Sequence, residues 1–392
     1  MRNGGSAVRV AVIGAGARFG LASYIRDGGA EVVVVADTDA AAEGRARSIL
    51  PHDFRFVGSH HSIGEVDAAF VLTPDGTHAE IASDLLGRGI PVYLEKPMAI
   101  SIEDCDRILD AAMRSRTKLY IGHNMRHMPF VQLMSRLVGD GAIGQVAAIW
   151  CRHFVGNGGD FYFKDWHAER SRGVGLLLQK ASHDLDVIQM LAGAPADLVS
   201  GMGALAVYDR VTDRRDNSDR LMGTLASYDN WPPLSQTELN PIIDVEDLSH
   251  VQMRMANGVL ATYNQCHFTP DYWRNYVVIG TEGRIENFGD TDGGVVRLWN
   301  RRGEYRPEGD IDYDIPVGDG THGGADRSIV AEFLRFVSDG GPIAVSPSAA
   351  RDAVAAGIRA TESIRSGSTP LDVPALDAET RTYFESGQVG AR

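Results

Sequence analysis

With 392 residues the chain is longer than a single hydrophobic core usually serves, so two domains are expected. Its 38 Lys and Arg against 52 Asp and Glu leave a formal net charge of -14, with no offsetting basic run, which argues against nucleic acid and membrane surfaces as partners. Cys105, Cys151 and Cys266 are odd in number and lack CxxC spacing, and no leader-like or membrane-spanning run is read, so a cytoplasmic location is expected.

Short β and α signals alternate through the first third. Val8–Ile13 is an apolar run ending at Gly14, and Leu21–Arg26 reads as the helix that follows. Glu31–Ala36 is a second strand, whose unbroken apolar run suits burial on both faces. Asp39–Ile49 reads as a helix, Ala68–Leu72 as a strand, His78–Leu86 as a helix, and Pro91–Leu94 as a strand closed by Glu95-Lys96-Pro97. A helix over Ile102–Ser115 and a strand over Leu119–Gly122 complete a doubly wound parallel α/β sheet, placed at residues 1–127.

From residue 128 to 392 the texture changes. After a helix over Phe130–Val138, "GQVAAIWCRHF" and "HVQMRMANGVLATYNQCHF" alternate as strands of a half-buried sheet do, the second with Asn257-Gly258 as a two-residue hairpin turn. The second domain is therefore expected to be α+β with a large, mostly antiparallel open sheet. Two polar, Gly/Pro/Asp-rich stretches, 209–240 and 289–324, read as insertions or lids.

The stretch "VIGAGARFG" joins the first strand to its helix, and Asp37 ends the next strand. That is the setting of the phosphate-cradling turn of a Rossmann domain. Gly14 permits the tight turn, Gly16 lets the backbone approach a pyrophosphate, and the helix N-terminus offers amide donors. Phe19 stands where a third glycine is usual. Either Gly20 takes over the close helix–strand packing or the helix begins with a wider turn. Asp37 would accept from both ribose hydroxyls and repel a 2′-phosphate, so NAD is expected over NADP unless Arg45 or Arg47 swings round.

At full length the chain resembles the Gfo/Idh/MocA oxidoreductases. "VAVIGAGARFG", "VLTPDGTHAEIA", "VYLEKPMAIS", "IGHNMRHMPFVQLMSRLVGDGAIGQV", "GVGLLLQKASHDLDVIQMLAG", "GTEGRIE" and "SAARDAVAAGIRATESIRSG" occur in that family's order and spacing. The resemblance implies hydride transfer between NAD or NADP and a sugar, glycoside or cyclitol. It also implies a second domain that floors the substrate site and forms a homo-oligomer through its open sheet. Cofactor contacts are expected from Gly14, Gly16, Ala17, Arg18, Phe19, Asp37, Thr73, Pro74, His78, Glu95, Lys96, Asn124 and Arg126.

Oxidising a secondary alcohol needs a group that takes the hydroxyl proton as hydride leaves. Lys96, at the C-terminal end of a strand, is one candidate, with a salt bridge to Glu95 as the plain alternative. His183 is the second. Family members place a carboxylate four residues before that histidine on one helical face, but here the position holds Gln179, followed by Lys180. Lys180 could hold a substrate hydroxyl or lower the Lys96 pKa by like-charge repulsion. Trp166 and His167, in "FYFKDWHAERSRG", suit stacking on a sugar face, and His322 could reach the pocket. The HxxxH spacing of His123 and His127 lacks a partner glutamate, so no metal is expected. Three function classes follow: a dehydrogenase or reductase, a glycosidase or lyase acting through transient sugar oxidation, and a cofactor-binding regulator.

Overall fold

The computed structural model describes residues 7–220, 222–225, 227–318, 320–388 and 390–391. The chain divides into two compact units. One holds the segment ending at Asn124, Asp326–Arg351 and the segment starting at Leu376; the other holds Met125–Ala325 and Asp352–Ala375. A chain-order division at 127/128 does not separate the later segments that return to the first unit. They return because the helix Ala325–Asp339 carries Ile329, Val330, Phe333 and Leu334 into the same buried cluster as Val10, Val12 and Phe70.

In the first unit, β1 (Val8–Ile13), β2 (Ala30–Ala36), β3 (Arg55–Val57), β4 (Ala68–Val71), β5 (Val92–Leu94) and β6 (Leu119–Ile121) form one parallel sheet, ordered β3-β2-β1-β4-β5-β6. The order reverses beside β1, the switch point where sheets of this kind open a crevice at the strand C-termini. β3 is a strand that the sequence reading missed, since Arg55–Val57 is too short to show a period. The expected helix Leu21–Arg26 is instead a 3-10 turn, Phe19–Ala22, running into a helix, Ser23–Asp27. Phe19 is wholly buried in the core, so its ring fills space that a third glycine would leave empty.

The second unit is built on a nine-stranded sheet. In chain order its strands are β7 (Val146–Val155), β8 (Ala196–Ala204), β9 (Leu248–Met255), β10 (Leu260–Cys266), β11 (Tyr272–Gly280), β12 (Arg284–Phe288), β13 (Val295–Trp299), β14 (Ile311–Asp314) and β15 (Leu371–Asp372). They lie in the order β14-β13-β12-β11-β7-β10-β9-β8-β15, antiparallel except for β7 beside β10. The β9–β10 hairpin forms as the alternation predicts, but its loop has one more residue than expected. Gly258 N–H donates to the Met255 carbonyl and Met255 N–H to that of Val259, with Gly258 at φ +89. A glycine at positive φ after such a turn marks a three-residue, bulged loop. The stretch 289–324 is not a bare loop either, since β13 and β14 lie within it. Among its described residues the stretch 209–240 is irregular apart from short 3-10 turns and one β-bridge between Arg214 and Leu239, and Asn217 pins it by donating to the Lys164 and Glu238 carbonyls at 2.9 and 2.8 Å.

Candidate active site

Four loops of the first unit leave the C-terminal ends of β1, β4, β5 and β6, and they carry most of the residues expected to meet a cofactor. Gly14 has φ +93, and a Cβ there would lie 2.8 Å from the Leu72 carbonyl oxygen, so the turn is closed to any side chain. Gly16 is different: a Cβ built on it meets no atom within 4 Å. Its bare backbone faces open space, as an approaching pyrophosphate requires. A Cβ on Gly20 also meets nothing within 4 Å, which excludes the close helix–strand packing expected of it. Asp37 is fixed by two backbone donors, Ala15 N–H at 2.7 Å and Asp39 N–H at 2.9 Å. Arg45 pairs with Asp39 at 3.0 Å, and Arg47 with Glu43 at 2.7 Å.

Arg18 spans Glu95 at 2.9 Å and Asp326 at 3.0 Å, and Asn124 donates to the same Asp326 at 2.9 Å. Burial opposes the Arg18 charge, but Glu95 and Asp326 outweigh it and raise its pKa. Glu95 is thus already partnered by Arg18. Lys96 is half-buried and joined to Pro97 by a cis peptide bond, while its N–H donates to Glu95 Oε2 at 2.9 Å. His78 is wholly buried, its Nδ1 2.8 Å from the Pro97 carbonyl and its Nε2 2.9 Å from that of Thr73. It ties two loops together from beneath. Thr73 and Pro74 lie nearer the surface, with the Thr73 hydroxyl accepting from Thr77 at 2.8 Å, and Ala17 is exposed.

In the second unit one end of the covered face of β10, β7 and β11 is largely polar, beyond the apolar row Ala261, Ile149 and Val278. Tyr263, Cys151 and Tyr276 form one row across the strands, and Gln265, His153 and Arg274 form the next. The helix Ser182–Ala192 sets Asp184 against them. This carboxylate, wholly buried, accepts from Arg274 Nε at 3.1 Å, from Tyr263 at 3.2 Å and from Tyr276, and lies 3.0 Å from His153 Nδ1. Burial would raise its pKa, but Arg274 and His153 outweigh burial and hold it well below the usual carboxylate range. Burial, then Arg274, pushes His153 down to about 3. At neutral pH the ring is therefore uncharged, and a proton on Nδ1 facing Asp184 leaves Nε2 as an acceptor.

Several buried polar atoms here have no hydrogen-bond partner among the described residues: His153 Nε2, Gln265 Nε2 and both ring nitrogens of His267. Burial, then His153, drives His267 well below the ordinary histidine value. Its ring lies 5.5 Å from that of Tyr162, over which Lys180 Nζ sits at 5.5 Å. Lys180 donates to the Tyr272 hydroxyl at 3.1 Å. Orphaned polar atoms in a protein interior cost roughly 1–3 kcal/mol each, so their accumulation on one face marks a place shaped for a ligand.

His183 and Gln179 are buried near the same turn. Their expected sharing of one helical face is modified, because Gln179 ends one short helix, Leu176–Gln179, and His183 belongs to the next. Lys180 and Ala181 form the joint, where Ala181 N–H reaches back five residues to the Leu176 carbonyl. Arg126, expected at the cofactor, is held by both oxygens of Asp186 at 2.7 and 2.6 Å. His167 is buried and bound to Asp165 at 2.6 Å, with half-buried Trp166 stacked on it at 3.7 Å. His322 is exposed, at φ 53. Outside these regions His60, His61 and Asp84 could share a cation, although Asp84 already pairs with Arg88 at 3.2 Å. The sequence reading missed Asp326, Asp184, His153, His267, Tyr272 and Arg274. One signal was present: in "DYWRNYVVIG" polar side chains recur at every second position, Tyr272, Arg274 and Tyr276, on one face of a strand, the last two buried.

A six-stranded parallel sheet with a glycine turn at its switch point, followed by a large mixed sheet, defines a two-domain dinucleotide-binding oxidoreductase. The comparisons agree. Residues 8–123 match the oxidoreductase family with an NAD-binding Rossmann fold, and residues 131–286 match the Gfo/Idh/MocA C-terminal domain. The chain belongs to the Gfo/Idh/MocA family and carries its NAD-binding domain. It is 24% identical over 317 residues to inositol 2-dehydrogenase of Rhizobium meliloti (strain 1021), with 80% of each chain covered. To 1-carboxy-3-chloro-3,4-dihydroxycyclohexa-1,5-diene dehydrogenase of Comamonas testosteroni it is 30% identical over 208 residues, and it spans about half (50%) of that relative's length. A solved complex of levoglucosan dehydrogenase with NADH and levoglucosan shares the fold, at TM-score 0.77 and 18% identity, covering 94% of this chain and 100% of that one. Among the described residues no helix is long and apolar enough to cross a membrane.

Proposed function

We propose that the protein is an NAD-dependent dehydrogenase or reductase acting on a secondary alcohol of a sugar, glycoside or cyclitol. The observation that carries this reading is the pair of open Gly16 backbone and anchored Asp37 carboxylate, with Arg45 and Arg47 both engaged by other acids. Gly16 would take the pyrophosphate and Asp37 the ribose hydroxyls, which favours NAD over NADP. When bound, the cofactor supplies the hydride acceptor or donor. The chain's own residues do the rest: Lys96 and His183 handle the carbinol proton, and Trp166, His167, Gln179 and Lys180 hold the remaining hydroxyls. Relatives named as dehydrogenases of inositol and of a dihydroxylated ring support the substrate class.

Formation of NADH with a panel of sugars, inositols and glycosides tests the reading directly, and no turnover with any of them, despite NAD binding, would overturn it. A second reading is kept alive by Gln179, which replaces the family carboxylate: a glycosidase or lyase that oxidises the sugar transiently and returns the hydride. It differs by releasing aglycone without net NADH. The open face of the second sheet, with Trp150, Met202 and Leu260 exposed, supports homo-oligomerisation, which light scattering at defined concentration would measure.

A further inference from the structure

In the second unit the buried cations Arg274 and Lys164 are matched by acids, whereas half-buried Lys180 is not. Arg274 is set against Asp184 and Asp290, Arg126 against Asp186, and Lys164 against Asp160 at 3.1 Å. Lys180 makes no ion pair with any described residue. Its ammonium rests on the Tyr162 and Tyr272 rings, at 5.5 and 5.3 Å, and donates to the Tyr272 hydroxyl. The family carboxylate that would neutralise it is absent, since Gln179 is an amide.

We infer that Lys180 is the anion seat of the substrate pocket and that the physiological substrate is a carboxylate-bearing sugar or cyclitol, of the uronic or aldonic acid kind. This inference deepens the proposed function and takes from it that the substrate is a polyol. Three observations support it. Burial works against the ammonium, but Tyr162 and then Tyr272 outweigh it and hold the Lys180 pKa above the ordinary value, so the side chain stays a cation. The groups that face Tyr272 are Lys180, Arg274, Asp184 and the His153 ring. Burial would raise its phenol, yet Arg274 and Lys180 together draw it below the usual range, a sign of positive potential at that spot. Gln265 Nε2, His153 Nε2 and the His267 nitrogens, all buried and unpartnered, form a second set of donors and acceptors that the hydroxyls of such a substrate would satisfy.

A carboxylate fits better than a phosphate. One unpaired ammonium with a phenol beside it matches a single negative charge, whereas a phosphate dianion calls for several donors and a second free cation. Arg274 is not a free cation of that kind, because its charge is already faced by Asp184 and Asp290.

The test is equilibrium binding by calorimetry, with NADH present, of D-glucuronate against D-glucose and D-galacturonate against D-galactose. The acids are expected to bind about 10- to 100-fold more tightly, the scale of one charge-assisted contact. Lys180→Met should erase that preference and Lys180→Arg should keep part of it, with circular dichroism unchanged in both. Neutral sugars binding as well as the acids, no acid-selective binding at all, or a preference undiminished in Lys180→Met would overturn the inference. NADH formation from neutral sugars alone would sink the carboxylate seat and leave the dehydrogenase reading intact. Acid binding that Lys180→Met abolishes, with no NADH formed, would do the reverse.

Discussion

The glycine edge of the first unit and the covered sheet face of the second handle charge in opposite ways. At the edge the arginines are matched: Arg18 by Glu95 and Asp326, Arg45 by Asp39, Arg47 by Glu43. What is left open there is backbone, at Gly16. On the sheet face Asp184 has four partners while Lys180, His153, Gln265 and His267 keep unused capacity. The first region therefore reads as a rigid cradle for a ligand whose phosphates bind backbone. The second fits the proposed substrate site, where a bound ligand would complete the unpartnered polar side chains.

The sharpest way to break this contrast is to remove the two groups proposed to handle the proton. Lys96→Ala and His183→Ala should each lower kcat by roughly two to four powers of ten while NAD affinity changes little. Retention of turnover in both would move the chemistry elsewhere. Next in size is Asp184→Asn. Cutting one member of a buried, fully bonded ionic group costs about 3–5 kcal/mol, so Tm should fall by roughly 6–20 °C in a thermal melt. A melt within two or three degrees of wild type, on the order of 1 kcal/mol, would mean that the cluster is not the structural anchor described.

Gly16→Val probes the cradle. Its Cβ meets no atom of the protein, so the fold should survive, yet the side chain enters the space required by the pyrophosphate and NAD affinity should drop on the order of 100-fold. Unaltered NAD binding in a folded variant would reduce the turn to a plain connection. Asp37→Ala is smaller, narrowing the preference for NAD over NADP by about tenfold in a titration.

A further effect is on the pH dependence of stability. His153 and His267 lie below the ordinary histidine value of 6.5 in the folded protein, His153 at about 3, so between those values the unfolded chain binds more protons. Their contribution is complete above pH 6.5 and is lost as pH falls towards the folded value, by at most about 1.4 kcal/mol per pH unit for each. Asp184 adds to the loss at still lower pH, below its unfolded value of 3.8. The Tm of wild type should therefore decline from pH 6.5 to 4.5 more steeply than that of His267→Phe, and equal slopes would refute the assignment.

Sequence alone determined the alternating strands and helices, the switch from parallel to antiparallel texture, the glycine turn with Asp37, and Lys96 at a strand end. Each of these is a local pattern: a period, a turn residue or a spacing within one strand–turn–helix unit. Tertiary structure decided what no local pattern encodes. It gave Arg18 to Glu95 and Asp326, residues 77 and 308 positions away, and it paired Arg126 with Asp186, 60 positions away. Only strand register could place Gln265, His153 and Arg274 in one row and bring Asp184 over them from a helix. Whether a buried polar side chain is spent or left open for a ligand depends on partners far along the chain, and those partners are fixed by packing rather than by neighbours in sequence.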